Sequence, residues 1–297
     1  MPIEPAFLDE LARLEGALRR ETDARQQGTQ RSSNVGEGLT FSDYRRYTPG
    51  DDVRLVDWRV YARTDEYFIK QYEAERNLTV HVLLDTSASM DFGEGAANKF
   101  EFAARFGLAF AYFAATQHDS FRFSALGTGV DRLDRGRSTR GELLRLLDAV
   151  NAIEPDGRTD FTDALEAYGR TIHSRSLVVV VSDFLDDPEA IEDGIAALGH
   201  NDVFLVHVVA PEERDPDVAG DTVFEDPETG TTQRAYFAGS TAEAYRDRLS
   251  EHVDDVAARA RTLRADHVVV DTGADFFESF AEVWQQQDRR ERQRRRR

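Results

Sequence analysis

Leu177-Val178-Val179-Val180-Val181 is an unbroken apolar run, four of its five residues β-branched, with a serine at either end. It is far too short to cross a bilayer, which needs roughly 20 apolar positions. Its branched side chains also disfavour helix. A strand without alternation buries both of its faces, as happens where helices cover a parallel sheet on both sides. Comparable strand-like runs lie at 77–84, 120–126, 202–209 and 267–270. Between and around them, helical periodicity marks 97–117, 139–150, 160–172, 189–198, 242–263 and 275–286. The alternation predicts an α/β fold: a doubly wound, mostly parallel sheet with helices on both faces.

Leu8, Leu11, Leu14 and Leu18 form one face of a helix over about 5–27, ended near Gly28. Residues 28–60 are rich in Gly, Ser, Asp and Arg without period, which predicts loops, and a strand follows at 66–73. At 211–237, two β-like stretches (222–225 and 232–237) flank Pro227-Glu228-Thr229-Gly230, which predicts a hairpin inserted at a sheet edge. The basic tail 289–297 reads as a solvated, disordered end. The expected organisation is therefore a helix and loop-rich segment over 1–75 packed on the sheet, a sheet domain over 76–288, and the tail.

The net charge is −19, from 37 basic and 56 acidic residues, and phosphates would be repelled from most of such a surface. No nucleic-acid partner is expected. Lys70 and Lys99 are the only lysines. A strongly acidic, arginine-rich surface stays soluble where salt screens its self-repulsion, so a halophilic cytoplasm is the expected setting. No basic-then-apolar leader opens the chain and no run is long enough for a membrane span, which agrees with a cytoplasmic location. With no cysteine, thiol catalysis, disulfides and Cys-ligated metals are excluded.

In an open parallel sheet, ligands bind where loops leave the carboxyl ends of the strands. Three such loops carry oxygen-rich side chains. Asp85-Thr86-Ser87-Ala88-Ser89 follows the strand run Val80-His81-Val82-Leu83-Leu84, with Asp85, Ser87 and Ser89 at every second residue. Asp156-Gly157-Arg158-Thr159-Asp160 opens a helix and offers the Thr159 hydroxyl, and Ser182-Asp183 closes the run 177–181. Two carboxylates and three hydroxyls make a hard-oxygen set suited to Mg²⁺ or Mn²⁺ rather than zinc or copper. The set is incomplete for an ion that takes about six oxygens. With Asp183 acting through water, one position is left for a carboxylate of another protein.

Asp85, Ser87, Ser89, Thr159 and Asp183, in this order and on these loops, resemble the metal-ion-dependent adhesion site of von Willebrand factor A domains. One departure is Phe184, which follows Asp183 where many A domains have glycine; it alters the loop's shape without removing the ligand. Upstream lies a second pattern: Arg45, Tyr47, Gly50, Asp51, Asp52, Arg54, Asp57, Trp58 and Arg63, in which arginines alternate with aspartates around a Pro49-Gly50 turn. Fork-shaped Arg–carboxylate pairs would hold such a segment in one geometry, with Tyr47 and Trp58 as aromatic cover. The stretch closely resembles the signature of the domain-of-unknown-function 58 family, proteins similar to a cytoplasmic A domain with this element before it. Many members carry N-terminal membrane helices that have no counterpart here. The resemblance implies partnership with a MoxR-type AAA+ ATPase in a chaperone-like assembly that matures other proteins. Two roles for 45–63 stay open: a buried ion-pair network pinning the segment to the sheet, or a partner-binding surface.

An enzyme is the less supported alternative. No phosphate-binding Gly-rich loop with lysine, no Gly-x-Ser-x-Gly elbow and no His-Glu-x-x-His occurs, and the seven histidines are scattered. A Mg²⁺-dependent phosphoesterase would need Asp85, Asp160, Asp163 and Asp183 to cluster, yet Asp160 and Asp163 suit the helix N-terminus they open. The sequence therefore predicts a metal-dependent protein-interaction module with no catalytic residues.

Overall fold

The computed structural model describes residues 2–27, 39–48, 51–53, 56–74, 78–216, 218 and 220–295. Two compact units make up the chain, Met1–Arg20 with Leu78–Arg297, and Glu21–Asn77. In order, the elements are α1 (Ala6–Gln27), β1 (Leu39–Arg46), α2 (Trp58–Thr64), β2 (Phe68–Ala74), β3 (Thr79–Asp85) and α3 (Lys99–Thr116). Then come β4 (Ser120–Leu126), β5 (Val130–Arg132), α4 (Arg140–Asn151), α5 (Phe161–Gly169), β6 (Leu177–Ser182), α6 (Pro188–Ala197) and β7 (Asp202–Val209). The last are α7 (Pro211–Arg214), β8 (Gly220–Glu225), β9 (Thr232–Phe237), α8 (Ser240–Thr262), β10 (Asp266–Asp271) and α9 (Phe276–Arg295).

The larger unit holds a six-stranded sheet in the order β10-β7-β6-β3-β4-β5. All of its ladders are parallel except β4 with β5. This is the expected doubly wound sheet, the fold that the A-domain resemblance implies. Counted along the chain, the strand order reverses between β3 and β6, which makes their carboxyl ends the switch point where such sheets bind ligands. Side chains alternate strictly between two cores. Val80, Val82 and Leu84 of β3 join Val179 and Val181 of β6 beneath α3, α4 and α9. Leu83 joins Val178 and Val180 beneath α5, α6 and α8 on the opposite face. Burial on both sides is why these strands need no polar alternation.

Caps set the helix starts near the switch point. Asn98 accepts from the Glu101 N–H at the start of α3, Asp160 from the Asp163 N–H at α5, and Asp187 from the Glu189 N–H at α6. Helix α3 is buried on nearly every side, as its all-round apolar sequence requires. At the N-terminus, Leu8 and Leu11 of α1 are fully buried in the α3 core, so α1 as far as Arg20 belongs with the sheet. Among the described residues no helix is long and apolar enough to cross a membrane.

Three expectations need correction. The loop-rich stretch contains β1 and α2, and β1 pairs antiparallel with β2 through an irregularity between Phe41 and Asp43. With Thr, Ser, Asp and Arg along it, β1 carries no apolar period, and its strand form comes from the partner strand. The hairpin β8–β9 forms as expected, but as its own two-stranded sheet with no strand pairing to the large one. Finally, α9 continues through the Arg-rich tail to Arg295. Arginine is a good helix former, Arg289 donates to Gln285 at 3.2 Å, and Arg290 pairs with Asp266.

Candidate functional site

The three oxygen-bearing loops meet at the switch point. Asp85, the last residue of β3, is buried, and each of its carboxylate oxygens is held by loop donors. Oδ1 accepts from the Thr159 hydroxyl at 2.7 Å and from the Ser87 N–H at 2.9 Å. Oδ2 accepts from the Ser182 hydroxyl at 2.5 Å, and Ser182 Oγ in turn accepts from the Phe184 N–H at 2.8 Å. The hydroxyls of Ser87 and Ser89 lie 3.0 Å apart. Backbone bonds knit the loops: Thr86 N–H to Leu126 O, Ala88 N–H to Gly157 O and Asp156 N–H to Thr86 O, all at 2.8–3.0 Å. Ser87, Thr159 and Asp183 are buried and Ser89 is half-buried, so the cluster opens outward on the Ser89 side.

Asp183 is held from the far side by a residue that the sequence had not marked. Lys99, the first residue of α3, is fully buried, and its ammonium donates to Asp183 Oδ2 at 2.6 Å and to Glu213 Oε1 at 2.5 Å. Glu213 of α7 also accepts from the Ala210 N–H at 3.0 Å. Burial pulls Lys99 down, but Asp183 and Glu213 outweigh it and the ammonium ends above its usual value. Burial raises Glu213 against the pull of Lys99. Asp85 is also raised, first by burial and then by the charge of Asp183. Asp183 and Glu213 thus share the single Lys99 ammonium, while Asp85 feels the charge of Asp183 and has no cation of its own among the causes that act on it.

That imbalance, with hydroxyls satisfying one another beside paired carboxylates, fits a divalent cation held by hard oxygens. Among the described residues there is no group of three or more His, Asp or Glu side chains arranged to hold a metal. The set here instead combines two carboxylates with three hydroxyls. All five expected ligands, Asp85, Ser87, Ser89, Thr159 and Asp183, belong to this one cluster. Ser182, Lys99, Glu213 and Glu228 are additions. Ser182 adjoined a marked residue, whereas the other three lie on segments that no motif connects to the site.

Phe184 resolves the departure from glycine. Its backbone has φ +48°, the left-handed region that glycine favours, and the loop keeps that conformation while carrying a bulky residue. The ring is fully buried between Phe161, at 5.5 Å between centroids, and His207, at 5.3 Å. His252 Nε2 lies 2.6 Å from the Phe184 carbonyl. Ring burial and that contact anchor the loop carrying Asp183.

Glu228, at the tip of the β8–β9 hairpin, reaches the open side of the cluster. Its carboxylate is a hydrogen-bond partner of the Ser89 side chain, lies 3.8 Å from Arg158 and feels the charges of Asp183 and Asp85. Burial first, and then those two charges, raise it above the usual carboxyl value. Arg158 is itself paired with Asp186 at 2.5 Å. Asp160 and Asp163 stand apart from the cluster's hydrogen bonds, Asp160 capping α5.

The signature segment lies in the smaller unit. Arg45 Nη2 donates to Asp51 Oδ1 at 2.9 Å, and Asp51 Oδ2 accepts from the Thr48 N–H and hydroxyl, both at 2.8 Å. The bond from Arg45, then those from Thr48, hold Asp51 down at about 2. This pair is solvent-accessible, so of the two roles left open for 45–63 a buried ion-pair network does not describe it. Asp57 caps α2, accepting from the Arg59 and Val60 N–H groups, and Arg63 donates to the Arg59 carbonyl at 3.3 Å. Trp58 is 58% exposed and meets Tyr61 and Tyr67 edge-on, with Tyr61 stacked on Tyr67 at 4.5 Å and Tyr47 at 6.2 Å from Tyr67. Asp52 lies within the described residues beside Asp51, whereas Gly50 and Arg54 lie outside them.

Comparison with known proteins yields a family match and distant structural likenesses. The profile of the family described as "Protein of unknown function DUF58" matches residues 43–258. An uncharacterised protein of Mycobacterium tuberculosis is 28% identical over 280 residues, spanning 92% of this chain and 87% of that protein. Among solved structures, the conserved hypothetical protein BatB of Bacteroides thetaiotaomicron superposes with a TM-score of 0.44 at 14% identity, covering 71% of this chain and 99% of that one. An aerotolerance-related membrane protein of Bacteroides fragilis gives 0.43 at 14% identity, covering 70% and 97%.

Proposed function

This chain belongs to the DUF58 family of proteins of unknown function, and from that premise we propose that it is a metal-dependent protein-interaction module that grips an acidic side chain of a partner. The observation that carries the reading is the meeting of Asp85, Ser87, Ser89, Thr159 and Asp183 at the sheet's switch point. A bound Mg²⁺ or Mn²⁺ would supply positive charge and an open coordination position for a carboxylate. Asp85 binds directly in this reading, Ser87, Ser89 and Thr159 add hydroxyl oxygens, and Asp183 acts through water. Ser182 orients Asp85. Lys99 orients Asp183, as partners behind metal ligands commonly do.

The partner we assign is a MoxR-type AAA+ ATPase or its client, on the strength of the Arg45–Arg63 signature. No reaction is assigned to the site. A hydrolytic cluster would need Asp160, and Asp160 is engaged in capping α5.

One experiment tests the reading through two measurements. The wild type is expected to bind Mg²⁺ or Mn²⁺ in titration calorimetry and to retain a MoxR-type ATPase of the same cell only when Mg²⁺ is present. Asp85→Ala should lose the heat and the retention together. Equal heats from both proteins remove the metal reading, and retention unchanged in a chelator points to a metal-independent surface.

A further inference from the structure

The hairpin β8–β9 is mostly exposed: Val223, Phe224 and Tyr236 all face solvent. Its tip behaves differently. The Glu228 side chain is only 19% exposed, although it is charged and sits in the turn of a solvent-facing hairpin. It lies on the open side of the ion cluster, against Ser89, within the field of Asp85 and Asp183. Two like charges beside it oppose that placement, and Arg158 at 3.8 Å is already paired with Asp186. Burying a carboxylate among carboxylates is costly unless a cation stands between them.

The turn is built to present this residue. Asp226 accepts from the Glu228 N–H at 2.9 Å and from the Thr229 hydroxyl at 2.7 Å, and the Gly230 N–H donates to the Asp226 carbonyl at 2.8 Å. The side chain therefore projects from an ordered tip.

We infer that Glu228 is an internal ligand of the ion site: the hairpin tip reversibly occupies the coordination position that a partner's carboxylate would take. This inference rests on the metal-bridged reading above. A tethered carboxylate acts at an effective concentration in the millimolar range, so a weak external carboxylate does not displace it and a strong partner does. Partner binding then requires the hairpin tip to leave Ser89. The hairpin within 211–237 is thereby a built-in competitor that raises the affinity threshold for partners.

The test uses the full chain with Mn²⁺ as probe and sodium acetate as the external carboxylate. Titration calorimetry measures Mn²⁺ affinity, and water-proton relaxation reports how much water sits on the bound ion. Glu228→Gln should weaken Mn²⁺ binding by roughly ten-fold, in line with losses seen when a metal site is depleted of a supporting group. It should also raise the relaxation per bound ion, because water takes the vacated position. Acetate should reverse that rise in the variant at concentrations that leave the wild type unchanged. Glu225→Gln, an exposed carboxylate on the same hairpin, should behave as wild type and so controls for net charge. If Glu228→Gln binds Mn²⁺ with unchanged affinity and unchanged relaxation, the inference is overturned while the metal reading stands. If the wild type binds no Mn²⁺, both fall.

Discussion

At Phe184, backbone strain and ring burial oppose one another. A left-handed conformation costs a non-glycine residue about 1–2 kcal/mol, and truncating a buried phenylalanine costs about 3–5 kcal/mol. Burial outweighs strain, which is how this chain keeps a glycine-type loop without glycine. Phe184→Gly should therefore lower stability by roughly 2–3 kcal/mol in urea melts, since relief of strain recovers only part of the lost packing. A more stable variant would show that the ring contributes less than its backbone costs. The same scale separates what was legible in the site from what was not. Asp85, Ser87 and Ser89 announce themselves by spacing, because one short loop delivers all three. Lys99 and Glu213 are separated from Asp183 by 84 and 30 residues and carry no motif, so only their shared burial reveals them. Glu228 was visible in the hairpin turn, but nothing along the chain connects it with Ser89.

At the scale of elements, the central strands carry histidines inside otherwise apolar runs. His81 of β3 is satisfied by the Tyr168 hydroxyl of α5, 2.8 Å from Nδ1, as a strand histidine facing a helix should be. Burial, then the positive field of Arg122, pushes His81 down to about 4, with Asp134 opposing and Arg132 adding. Burial likewise holds His267 of β10 at about 4. Both are neutral in the folded chain between about 4 and 6.5, whereas the unfolded chain takes up a proton on each below its ordinary value of 6.5. The unfolded state thus binds more protons in that window, and stability is lost as pH falls from about 6.5 towards 4. For His81 the loss amounts to at most about 3 kcal/mol. In urea melts at stepped pH, His81→Gln should flatten this dependence while keeping a hydrogen bond to Tyr168. An unchanged slope would mean that His81 titrates normally in the folded protein. Elements with strong periodicity, such as α3, β6 and β7, fall within one or two residues of their expected bounds. Among the misses is β1, whose polar residues take strand form against β2.

For the whole molecule the dominant number is the net charge of −19. Individual exposed ion pairs such as Arg140–Asp9 contribute little and weaken with salt. The excess of like charge is screened at the same time, and with so large an excess the relief of repulsion prevails. Raising KCl from about 0.1 M to about 1 M shortens the screening length from about 10 Å to about 3 Å, and the thermal midpoint should rise. A flat or falling midpoint would remove the reading of a salt-adapted protein. Read along the chain, periodicity was enough for the doubly wound sheet, because it depends on neighbours within one strand or helix, and loop chemistry marked the oxygen-bearing residues one loop at a time. Folding alone could settle which distant side chains share the same buried volume. Lys99 behind Asp183, Ser182 beneath Asp85 and Glu228 in front of Ser89 meet through packing, since a buried charge must find its partner in space and leaves no period in the sequence.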